Sequence, residues 1–456
     1  FGGQIITYAE AKKRSEAMDF KTVGEPGRDA PENGACAMAA WLYGKDFGER
    51  LVLSNSAGED TDCTCATLGA ILGIIDGAEN NELALTDNGH GDVCKFYSYD
   101  MHQMVPDILI GNNQKKNLIS LLHAHEQHED IKAVIDINHT GEFEELYVDS
   151  AGDHTRAYIK IQDGCNQFCT YCIIPYVRGR IRSRQPEEII KEVERLADAG
   201  YQEVVLTGIH ASSYGVDFVN PKMDLDSWVT MEGEKKDLLY LIQQIHKVEG
   251  IRRIRLSSIE PRIITEKFAK ELAKLPKVCP HFHLSMQSGC EATLKRMNRH
   301  YTSREYYEKC GILRTYFEHP AITTDVIVGF PGETQEEFET TRAFIEKVGF
   351  YETHVFKYSR RNGTKAASMP DQVPEQKKAE RSQILLDLCK KKKKEFEDQM
   401  IGKQVEVLLE ETFEKDGVLY RTGLTKEYVK VAVKADNTRE NQILEMTIEN
   451  HSQIMD

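Results

Sequence analysis

Long hydrophobic runs are missing from this 456-residue chain. No stretch of ~18 apolar residues occurs, which argues against a membrane-spanning helix. The opening FGGQIITYAE has neither a basic n-region nor an apolar h-region, so no secretory signal is expected there. It also lacks an initiator Met, which leaves room for residues before Phe1. A surplus of positive charge is missing too. Lys and Arg number 58 against 73 Asp and Glu, a net −15. Such a chain has no whole-molecule attraction for phosphate backbones, and any grip on nucleic acid must come from local basic patches. A disulfide framework is not indicated. The cysteine count, eleven, is odd, and Cys165, Cys169 and Cys172 fall within eight residues. That clustering suits metal binding in a reducing cytoplasm. No internal repeat appears, and the one low-complexity tract is the run Lys390 to Lys394. With 40% hydrophobic and 29% charged residues, the chain reads as globular. At ~150 residues per domain it has material for about three units.

Organisation sharpens along the chain. Before about Thr140, turn clusters such as GEPGRDAPENG and DNGHGD separate a helix around Glu10 to Phe20, a short strand at Glu49 to Leu53 and a helix at Asn117 to His128. From Ala157 the pattern alternates. Strands are expected at 157–161, 204–206, 254–256, 281–284, 324–328 and 353–356. Helices are expected from Pro186 to Gly200 and at 238–246, 265–275, 302–317 and 334–348. Strand and helix in turn mean parallel βα units, closing into a full or partial barrel with its chemistry at the C-terminal strand ends. A helix at 379–396 follows. Beyond Ile401 the strings VEVLL, VLYRT, YVKVAV and ILEMTI suggest an all-β module about the size of a five-stranded barrel.

Chemistry concentrates in Cys165-Asn-Gln-Phe-Cys169-Thr-Tyr-Cys172, a C-x3-C-x2-C loop directly after the first barrel strand. Three thiolates on one loop can hold three irons of a [4Fe–4S] cube and leave the fourth open to a chelating small molecule. A zinc knuckle short of one ligand is the competing reading. Arg178, Arg180, Arg182 and Arg184 alternate with smaller residues; if extended, all four guanidiniums project to one side as a phosphate grip, unless ion pairs with Glu187 and Glu188 absorb them. Gly329-Phe-Pro-Gly-Glu-Thr334 lacks the Gly-Lys-Ser/Thr ending of a phosphate loop and reads as a strand-to-helix turn. His123, His125 and His128 lie among acidic residues and read as a solvated helix face.

The cysteine motif in this setting resembles the radical S-adenosylmethionine superfamily. IKIQDGCNQFCTYCIIPYVRGRIRSR looks like its methylthiotransferase branch, as do LTGIHASSYG, RLSSIEP, HLSMQSG, LKRMNR and TDVIVGFPGET at later strand ends. LTGIH and RIRLSSIEP look closest to the enzymes that methylthiolate N6-threonylcarbamoyladenosine at position 37 of tRNA. The resemblance implies an α/β fold: a radical-SAM partial (βα) barrel at 150–375, a divergent N-terminal α/β methylthiotransferase-like domain at 1–140, and a small C-terminal all-β TRAM-like barrel at 397–456. It implies a [4Fe–4S] cluster on Cys165, Cys169 and Cys172 that takes S-adenosyl-L-methionine on its unique iron. Tyr171, Thr207, Gly208, Ser257, Glu260, Gln287 and Asp325 would then be cofactor contacts, with Ser258 beside them. Tyr171 and Asp325 have plainer readings, as core filling and as a structural charge. The implied partners are tRNA and an electron donor such as flavodoxin or ferredoxin. No membrane is implied, and the chain is expected to be cytoplasmic and monomeric.

The N-terminal third departs from that family. Its usual sulfur-donor cluster needs three further cysteines, and the family string near the start has Gly in place of the first. Cys36, Cys63, Cys65 and Cys94 remain as possible ligands. The C-terminal module, with seven basic and eleven acidic residues from Ile401 to Asp456, excludes a uniformly basic RNA grip. Recognition there would need a stripe such as Tyr420, Arg421, Lys426, Tyr428 and Lys430. The reading is a transferase that places a methylthio group on C2 of the modified adenosine. Its alternatives are another tRNA adenosine derivative, a ribosomal protein side chain, or a non-catalytic iron–sulfur RNA-binding protein.

Overall fold

The structure, a computed structural model, describes residues 108–111, 114–126, 131–138, 140–144, 155–436 and 438–455. The elements expected before residue 108, and with them Cys36, Cys63, Cys65 and Cys94, lie outside the described residues, as do His128 and the side chain of His125. Ile108–Asp456 forms one compact unit. It opens with a parallel pair, β1 (Ile108–Ile110) and β2 (Ile131–Ala133), joined by the helix Leu118–Glu126. The two short strands were not anticipated. The helix was, with His123 on its exposed face.

The barrel strands follow as β3 (Arg156–Asp163), β5 (Glu203–Gly208), β6 (Arg253–Leu256), β7 (His281–His283), β8 (Ala321–Val328) and β9 (Glu352–Lys357). Each pair within β3-β5-β6 and β7-β8-β9 is parallel. Bridges Ile254↔Val278 and Ile259↔Leu284 carry the curve from β6 to β7. A short β4 (Arg182–Ser183) pairs antiparallel at the outer edge of β3, so the arc stays open.

The local sequence explains the punctuation. The helix Pro186–Asp198 starts on Pro at its first position, and Gly200 follows it at φ +95°. Thr302 and Thr334 open Ser303–Tyr316 and Gln335–Val348 with complete capping boxes to Glu305 and Glu337. Apolar helix faces close over the sheet. Ile189, Val193, Leu241, Ile242, Ile245 and Leu272 share one core with Ile159, Val204, Leu206 and Ile254.

The C-terminal module is a four-stranded antiparallel sheet, β12-β11-β10-β13, of β10 (Gln404–Lys415), β11 (Val418–Thr425), β12 (Lys430–Lys434) and β13 (Ile443–Thr447). Four strands, not five, are present among the described residues. The final turn adds a single bridge, Ile454 to Val431. The sheet seats against the N-terminal ends of the barrel strands. Arg253 donates to the Glu406 carboxylate at 2.7 Å and to the Leu424 carbonyl at 2.9 Å, while Arg255 donates to Glu203 at 2.7 Å and to the Lys426 carbonyl at 2.9 Å. Glu203 and both arginines are fully buried. Burial pushes the Glu203 carboxyl up, but Arg255 and Arg253 outweigh it and leave its pKa lowered.

Candidate active site

The C-terminal end of β3 delivers the cysteine loop. Asp163 closes the strand and gathers Arg178 (3.0 and 2.8 Å), Lys160 (2.6 Å) and the Gly164 amide (2.8 Å). Gly164 turns at φ +71°, and a Cβ there would stand 1.9 Å from the Arg180 carbonyl oxygen, so no other residue fits. The Cys165 amide donates to the Gly179 carbonyl at 3.0 Å, and the Cys172 amide to Cys169 at 3.0 Å. A second support comes from the far side of the barrel. The Thr170 amide and hydroxyl donate to the Met297 and Arg296 carbonyls, and Asn298 donates to the Phe168 carbonyl.

All three cysteines are unpaired, with Cys165 and Cys169 buried. Burial pushes the Cys165 thiol up to about 12 and raises Cys172 as well. Sulfurs in such a place ionise only against a strong cation, which is what a metal centre supplies. Three thiolates on one loop can each hold one iron of a cube. One cation is already supplied: Arg299 donates to Cys169 Sγ at 3.4 Å, to the Ser285 carbonyl at 3.3 Å and to Tyr301 at 3.0 Å.

The other expected contacts separate into two groups. Tyr171 packs edge-on to Phe330 at 6.3 Å and feels the Cys169 thiol. Thr207 and Gly208 end β5, where Gly208 lies so close to Gln162 that a Cβ would meet its side chain at 3.1 Å. Gln287, at φ +69°, donates its amide to the Asp325 carbonyl, and exposed Ser258 meets Ser285 at 2.7 Å. These surround the strand ends.

Glu260 differs. Its carboxylate is taken by His210 at 2.8 Å and by Arg262, and it is 3% exposed. Burial would raise its pKa, yet His210 and Arg262 hold it well below the usual carboxylate range. It positions the loop after β6 and does not stand open to a ligand. Asp325 likewise faces a neighbour, His283, at 3.1 Å. The Ser257 hydroxyl is buried without a partner.

The arginine ladder does not form. Arg182 and Arg184 are 1% and 3% exposed because β4 turns inward; Arg184 pairs with Glu192, while Glu187 takes Lys236. Arg178 is bound to Asp163, leaving Arg180 exposed over the Phe168 ring at 4.5 Å. Sequence reasoning missed Arg299, His210 and Gln162. The string LKRMNR pointed at the right place but gave no reason to separate Arg299 from its neighbours Lys295 and Arg296. The turn 329–334 is a strand-to-helix turn as expected, with Glu333 bonded to the Gly329 amide and to Arg381.

The Radical SAM superfamily matches residues 159–345. The ADP-ribosylglycohydrolase family matches residues 5–88. The threonylcarbamoyladenosine tRNA methylthiotransferase of Bacillus subtilis (strain 168) is 40% identical over 349 residues, 75% of this chain and 73% of that protein. The tRNA-2-methylthio-N(6)-dimethylallyladenosine synthase of Pelotomaculum thermopropionicum is 40% identical over 281 residues, covering 61% of this chain and 60% of that one, so the chain spans less than two thirds of this relative. Among solved structures, coproporphyrinogen III oxidase of Escherichia coli overlaps 53% of this chain and 54% of that one at 15% identity and a TM-score of 0.37. Among the described residues, no helix is long and apolar enough to cross a membrane.

Proposed function

The chain belongs to the radical S-adenosylmethionine methylthiotransferase family, and from that premise we propose that it places a methylthio group on C2 of N6-threonylcarbamoyladenosine at position 37 of tRNA. The observation that carries the choice of nucleoside is the 349-residue match to an enzyme named for that substrate. We assign Cys165, Cys169 and Cys172 to the [4Fe–4S] cluster. When bound, the cluster and S-adenosylmethionine supply one-electron chemistry at an unreactive C–H bond.

The chain's own residues do the rest. Arg299 fixes Cys169 and adds a positive charge beside the cluster. Thr207, Gly208, Ser258 and Gln287 line the strand ends where the cofactor would lie. Glu260, locked to His210 and Arg262, holds that rim in shape. The curved sheet excludes water from the reacting centre.

A second reading, the dimethylallyl-substituted adenosine, is favoured by relatives 40% to 42% identical that carry that name. Incubating the reconstituted, reduced protein with S-adenosylmethionine and tRNA bearing either modification decides between them by nucleoside mass spectrometry. The threonylcarbamoyl nucleoside should gain the methylthio mass. Gain on the dimethylallyl nucleoside alone would overturn the choice.

A further inference from the structure

Below the cysteine loop the inner face of the barrel holds a cluster that the proposed reaction does not use. His283 on β7, Asp325 on β8 and His354 on β9 are neighbours across adjacent parallel strands, and their ligand atoms all lie within 4.8 Å of one another. His283 is fixed from behind, with Nδ1 at 3.0 Å from the Thr323 hydroxyl and Nε2 at 3.1 Å from Asp325 Oδ2. With the Nδ1 proton donated to Thr323, Nε2 presents a lone pair beside the Asp325 carboxylate; with the proton on Nε2, His283 donates to Asp325 instead. The His354 ring stacks on His283 with centroids 5.8 Å apart.

The surroundings supply an independent sign. His283 and His354 line a cavity of about 400 Å³, and Ser257 and His281 line the same space. The Ser257 hydroxyl and His281 Nδ1 are buried there without partners. Buried polar atoms left unpaired cost about 1–3 kcal/mol each, so a cavity that collects them is shaped for a polar guest. Of the two arginines at its base, Arg255 is bound to Glu203 and Arg156 to Glu410, although Arg156 Nη1 keeps no partner.

We propose that His283, Asp325 and His354 form a binding site for one divalent cation of the ferrous or manganous class. Two imidazoles and one carboxylate on one face are the donor set such ions take, with the remaining positions open to water or to an oxygen donor in the cavity. Thr323 is the outer partner that orients His283.

Manganese tests this in the cluster-loaded full chain, because the resting cube is diamagnetic and free Mn²⁺ is counted by its paramagnetic resonance signal. The expected result is one Mn²⁺ bound per chain. His354→Ala should remove it, since that exposed side chain can be cut without disturbing the core, and Thr323→Val should weaken it about 10- to 100-fold. Cluster iron should be unchanged in both variants, which separates this result from any failure of the cofactor chemistry. No bound Mn²⁺ in the wild-type chain, or equal binding in His354→Ala, would overturn the site.

Discussion

At the scale of single residues, Arg299 is the side chain on which the cluster's behaviour should depend most after the cysteines. A guanidinium 3.4 Å from Cys169 Sγ stabilises the more negative, reduced cluster. Arg299→Met should therefore make the cluster harder to reduce, seen as a more negative midpoint in a resonance-monitored redox titration. Cofactor cleavage should fall about 10- to 100-fold, while iron content holds. Gly164 gives a different kind of test. Gly164→Ala drives a methyl into the Arg180 carbonyl oxygen; reconstituted protein should lose most of its cluster absorbance while the far-ultraviolet circular dichroism stays that of the folded barrel.

Secondary-structure elements are held to one another by the charges between the barrel and the C-terminal sheet. Arg253 is 0% exposed and reaches Glu203, Glu406 and the Leu424 carbonyl. Removing it strands Glu203 without one of its two arginines, and Arg253→Ala should cost about 3–5 kcal/mol in denaturant unfolding. The pH dependence follows from the lowered pKa values of Glu203 and Glu260. Depressed carboxylates contribute stability that is present above the unfolded value of about 4.3 and is lost as pH falls below it. Thermal unfolding should thus be flat near neutrality and drop on acidification below about pH 4.3, less steeply in Glu203→Gln.

The same elements show what was legible beforehand. The six barrel strands and their helices could be read because apolar runs, Pro186, Gly200 and the two Thr–Glu caps mark them locally. β4 could not. Its arginines look solvent-bound by composition, and they are buried because Asp163 meets Arg182 and Glu192 meets Arg184, while Asp217 takes the Ser183 amide. The cysteine loop was legible from spacing alone. The His283–Asp325–His354 cluster was not, since its members lie on three strands separated by helical segments, and only strand register brings them together.

For the whole molecule, two separate segments of the chain match different family models. Residues 5–88 match ADP-ribosylglycohydrolases, and Cys36, Cys63 and Cys65 stand in that segment. Iron and sulfide analysis of the full chain counts the cubes: about eight irons would place a second, sulfur-donating cube on cysteines outside the described residues, as the proposed transfer requires, and about four would leave that transfer without its sulfur donor.

The central claim is that the loop of Cys165, Cys169 and Cys172 carries a redox-active cube that opens S-adenosylmethionine. The most direct measurement is chromatography of products after the anaerobically reconstituted chain is reduced and given that cofactor. The account predicts 5′-deoxyadenosine from the wild-type chain and none from Cys169→Ala. Intact cofactor in both, with zinc or no metal on the loop, would contradict it.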